Sequence, residues 1–170
     1  HQNLSSSSET ITQGGVLVAG LNAEPESLNP LTALSQTSRN VIDLVFRRLA
    51  DIDSDLVNFS PVLAKSWEIS ATELSITFHL RTDVAWHDGQ PFSAKDVVFT
   101  HQLCVNSDLG WDGISFKENI KSVVAKNDST VIFRFKQTSP SMLMDAVEGH
   151  IVPEHLLRDI PPEKLFECDF

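Results

Sequence analysis

The chain holds 170 residues, enough for one domain with a core of its own. Its 41% hydrophobic and 21% charged residues exclude a mostly disordered polypeptide. With 13 Lys and Arg against 23 Asp and Glu, the net charge of -10 repels phosphate backbones and speaks against nucleic-acid binding. In chain order, residues 1–14 carry four consecutive serines and few apolar side chains, the composition of a disordered leader. Residues 15–21 (GVLVAGL) form a short apolar run that predicts a buried strand. Pro25 and Pro30 then impose extended or turn geometry on the residues before them.

Val41, Ile42, Val45, Phe46 and Leu49 share one helical face, predicting a helix over 38–49 with Ser38 as its N-cap. Residues 51–59 read as an acidic turn, and 61–69 as a helical turn running into a strand. Over 74–81 the alternation of Leu74, Ile76, Phe78 and Leu80 with polar residues predicts a half-buried strand. A tight turn follows at 87–91. Ser93 with Asp96 makes a capping box for a helix whose inner face holds Val97, His101 and Cys104. Two strands, 123–125 and 131–135, are joined at Asn127-Asp128-Ser129 as a hairpin, and helices are expected over 141–147 and 153–158. Leu74, Ile76, Phe78 and Leu80 should face the core beside Val131, Phe133 and Phe135. The sum is an α+β fold: a mixed sheet with antiparallel hairpins and flanking helices.

Residues with chemical potential are sparse. The two cysteines, Cys104 and Cys168, stand in no metal or redox spacing. There is no GxSxG elbow, HExxH, P-loop or GxGxxG, so covalent catalysis has no motif behind it and no cofactor is implied. Glu148, His150 and His155, with Glu154, have the donor types of a zinc or nickel site. Pro153 divides them, and adjacent Glu154 and His155 point apart, so they are weak candidates. Trp67 reads as core and Trp86 as packing over the turn, while Trp111 sits in a polar, Gly-rich loop, the setting of many binding residues.

The run over 61–99 carries more information. Its segments PVLAKSWE, ITFHLR and VAWHDGQPFSAKDVVF follow the order P-x-L-A-x-S-W, T-F-x-L-R, W-x-D-G-x-P-F-x-A-x-D-V. They closely resemble the oligopeptide/dipeptide/nickel-type solute-binding proteins of ABC importers. Upstream, Glu24-Pro25 through Asn29-Pro30 resembles that family's opening segment. Downstream, Ile151-Val152-Pro153-Glu154-His155-Leu156-Leu157 resembles its P-K-H-L stretch, with Glu154 where Lys is common.

The resemblance implies part of a two-lobed periplasmic-binding-protein-like fold, exported to the periplasm or beyond, non-enzymatic, and working with ABC permease subunits in the membrane. The implied ligand is a peptide or other small solute. A nickel or other metal chelate is the alternative, and a stand-alone interaction module lies further off. It divides the chain into a leader (1–14), the opening strand and helix of lobe one (15–50), an α/β subdomain (51–157) and a truncated tail (158–170), whose Leu165, Phe166 and Phe170 have no evident partner. It also implies a cleft-facing loop of Leu31, Thr32, Ala33, Leu34 and Ser35, joined by Trp111 and His150.

Overall fold

The computed structural model describes Val18, Gly20 and residues 23–168. The expected leader lies outside the described residues, as does most of the strand expected over 15–21; Val18 and Gly20 are exposed and in no regular element. The described residues include six strands and four short α-helices. α1 (Gln36–Val45) comes first, then a hairpin of β1 (Ala50–Ile52) and β2 (Phe59–Pro61). β3 (Ala64–Ser70), β4 (Ser75–Leu80), β5 (Ile120–Asn127) and β6 (Thr130–Phe135) form a sheet in the order β3-β4-β6-β5. α2 (Ala94–Cys104) intervenes between β4 and β5, and α3 (Met142–Val147) and α4 (Glu154–Leu157) follow the sheet. Every pairing described in these sheets is antiparallel.

The alternation in β4 does what period-two patterning requires: Ile76, Phe78 and Leu80 are fully buried, while Thr77 and His79 are half-exposed. The register sets Ile76 opposite Phe133 and Phe78 opposite Val131, so adjacent strands deliver their apolar faces to one core. α2 covers it with Val97. Its capping box is complete, with Ser93 N donating to Asp96 Oδ2 at 2.8 Å. The other Asp96 oxygen accepts from Glu154 N at 2.9 Å, and Thr100 Oγ1 accepts from Val152 N at 3.0 Å. α2 thereby seats the segment that follows α3.

A second core lies apart from the sheet, built from Leu31, Leu103, Cys104, Leu109, Trp111, Val152, Leu157 and Leu165. Here the structure corrects several expectations. Cys104 is buried two turns along the same face of α2 as Val97, and there it packs in this second cluster. Leu165 is buried rather than partnerless, and its carbonyl accepts from Asn29 Nδ2 at 2.7 Å; Phe166 is exposed and Phe170 lies outside the described residues. α1 starts before Ser38: Ser35 is the cap, accepting from Ser38 N, and Phe46 to Leu49 run on beyond the helix. No helical turn precedes β3, and the acidic stretch 51–59 is spanned by the β1–β2 hairpin, closed by Asp53 N donating to Asn58 O. Trp67 is half-buried, resting on Phe78 from an edge strand.

Burial also fixes a pH response. Burial and the nearby Lys117 charge hold His101 at about 4, and burial, then Arg48, lower His150 against the pull of Asp43. Folded-state values below the unfolded ~6.5 mean that the unfolded chain binds the proton first as pH falls. The stabilisation is therefore complete above pH ~6.5 and declines as pH approaches about 4. Urea unfolding should show a loss of about 1–2 kcal/mol between pH ~7 and ~5, after discounting for partial solvent screening. His101→Leu should flatten that slope; an unchanged slope would mean that His101 protonates freely in the fold.

Candidate functional site

A cleft of about 380 Å³ opens where α1, the turn before it and two loops meet. Pro30 and Ala33 come from the turn, and Gln36, Arg39 and Asp43 project from α1 at the i, i+3, i+7 spacing of one helical face. Trp111, Asp112 and Gly113 form one loop wall, and Glu148, Gly149 and His150 the other. The cleft falls in the volume range of small-ligand sites.

The turn at its edge is fixed by short-range hydrogen bonds. Asn29 is fully buried, and its Oδ1 accepts from Leu31 N at 3.0 Å. Glu26 Oε1 accepts from Leu34 N at 2.9 Å and Ser35 N at 2.6 Å, and hydrogen bonding centred on Ser35 holds this carboxyl at about 2. Across the opening, Arg39 pairs with Asp112 at 2.6 Å, linking α1 to the Trp111 loop. Deeper in, His150 Nε2 lies 2.8 Å from Asp43 Oδ1, which Arg48 approaches at 3.5 Å. Arg48 Nε is buried and has no acceptor among the described residues.

Trp111 is only 6% exposed, although it follows Gly110 in a loop, because its ring is anchored in the second core while still lining the cleft. Two glycines permit this. A Cβ on Gly113 would lie 2.5–2.8 Å from the ring, and one on Gly149 would lie 3.1 Å away. Gly149 also sits at φ +94, a conformation few other residues adopt.

The structure sorts the residues singled out in the sequence. Ala33, Trp111 and His150 meet at the cleft, with Glu148 beside them. Leu31 is buried in the second core, Leu34 is exposed, Ser35 caps α1 and Thr32 is half-buried, and none of the four lines the cleft. His155 is elsewhere, paired with Asp88 at 2.7 Å in the 87–91 turn. Among the described residues no three His, Cys, Asp or Glu side chains gather as a metal site. The sequence reading missed Arg39, Asp43, Arg48 and Asp112. Arg39 and Asp43 lie on the polar face of α1, and such a face is ordinarily just solvated.

With this geometry in place, comparison with known proteins is decisive for family. Residues 58–164 match the bacterial extracellular solute-binding proteins, family 5, middle region. The chain belongs to this family. A relative from Brucella ovis, named provisionally as an ABC transporter peptide-binding protein, is 37% identical over 155 residues, covering 89% of this chain and 29% of its own. The oligopeptide-binding protein AppA of Bacillus subtilis, solved with a nonapeptide, superposes with a TM-score of 0.77 at 29% identity, over 85% of this chain and 29% of that one. NikZ of Campylobacter jejuni, solved with Ni(L-His), gives a TM-score of 0.71 at 34% identity, over 83% and 28%. The chain thus spans under a third of the length of these relatives, and its α+β architecture is the one they show over that span.

Proposed function

We propose that this chain forms part of the substrate-binding component of an ABC importer, that it takes up peptides outside the cytoplasm, and that it hands them to permease subunits in the membrane. The observation that carries the reading is the likeness to AppA in its nonapeptide complex over 85% of this chain. The cleft supports it. It offers a buried aromatic wall and charges of both signs at Arg39 and Asp112, groups suited to peptide carbonyls and termini. In this reading the cleft is one wall of a two-lobed site, with Ala33, Trp111 and His150 as its ligand-facing members.

The likeness to NikZ with Ni(L-His) favours a second reading, a metal chelate as ligand. Calorimetry separates the two. The peptide reading expects no stoichiometric uptake of nickel, with or without L-histidine. Tight nickel binding that His150→Ala abolishes would replace it with the chelate reading.

A further inference from the structure

One buried side chain touches both loop walls of the cleft without lining it. Lys117 ends the 3₁₀ turn Ile114–Lys117 and is buried. Its Nζ donates to the carbonyls of Asp145 at 2.8 Å and Glu148 at 2.6 Å. Those carbonyls close the last turn of α3, where helix geometry leaves acceptors unpaired. The same ammonium lies 5.6 Å from the centroid of the Trp111 ring, within range of attraction to an aromatic face. The six-membered ring of Trp111 lies against both Gly113 and Gly149, so its position depends on how the 148–150 loop sits. An ammonium fixes both loops in direction, where a Met of similar shape would only fill space.

We propose that Lys117 is a positioning residue of the cleft: it holds the Trp111 ring and the 148–150 loop in one arrangement and so sets ligand affinity without touching the ligand. The affinity clause rests on the peptide-binding reading above. His101 and Cys104 face Lys117 from α2, and Asp145 and Glu148 from α3 and the loop after it. Burial brings its pKa down to about 8, against the opposing pull of Cys104, Glu148 and Asp145. The charge under Trp111 is therefore lost within a range that a folded protein tolerates.

The test uses the 170-residue chain with Trp67→Phe and Trp86→Phe, which leaves Trp111 as its one indole. Trp111 emission should titrate with a midpoint near 8. Lys117→Met should abolish that titration and raise acrylamide quenching several-fold. Lys117→Arg, charged throughout, should lose the titration yet keep parental quenching. A Lys117→Met protein with parental titration and quenching overturns the proposal. Should that variant fail to fold, the parent decides: the Gly113 and Gly149 amide resonances must move together with a midpoint near 8, and flat or unrelated curves overturn it. These readings need no ligand, so they stand if the chain binds no peptide and the functional reading falls. Where peptide shifts the cleft resonances of the parent, Lys117→Met should need about tenfold more peptide, roughly 1.4 kcal/mol, and an equal requirement removes the affinity clause.

Discussion

Truncating Phe78 to alanine should destabilise the chain by about 3–5 kcal/mol, the range for emptying a buried aromatic site. Phe78 has no exposed surface and meets Phe133 edge-on at 5.4 Å between ring centroids, with Trp67 at 6.1 Å. It occupies the middle of β4, a central strand of the four-stranded sheet, so neighbouring strands hold the cavity open and collapse recovers little. Urea unfolding measures the loss. His79→Ala, one residue on and half-exposed, is the control and should stay within about 0.5 kcal/mol, as surface changes do. Equal costs for the two would mean that the faces of β4 are reversed.

The second large effect is at the cleft. Trp111→Ala should cost about 3–5 kcal/mol by emptying the second core. Gly113→Ala alone should cost about 1–3 kcal/mol, since its Cβ would meet the ring at 2.5–2.8 Å. Gly113 has φ -86, which alanine accepts, so the cost comes from the ring and not from the backbone. In the Trp111→Ala background the same change should cost almost nothing. A double-mutant cycle with a coupling of about 1 kcal/mol or more supports the packing described, whereas additive costs would contradict it.

These two predictions differ in how early they could be made. Phe78 was legible because strand alternation and burial share the same period, and the capping box of α2 was legible because Ser93 and Asp96 lie three residues apart. Local rules sufficed for both. The cleft needed contacts between residues remote in the chain: Arg39 with Asp112, and His150 with Asp43. No local pattern encodes such pairs. Trp111 was visible as a loop aromatic, but its anchoring depends on Leu157 and Leu165, about fifty residues away. The expected helix over 38–49 differs from α1 because its apolar spacing continues through Phe46 and Leu49, which bury their side chains from non-helical chain. The serines at 35 and 38 both have capping chemistry, and the position of the turn before them selects Ser35.

The proposed function places peptide in the cleft between α1 and the two loops. Two-dimensional amide spectra of the chain, titrated with short peptides, address it directly. Shifts should gather at Ala33, Gly113, Gly149 and the Trp111 indole, with a Kd of about 1 mM, because one wall leaves much of a ligand in water. Silent cleft resonances at saturating peptide, or shifts confined to another surface, would contradict the claim.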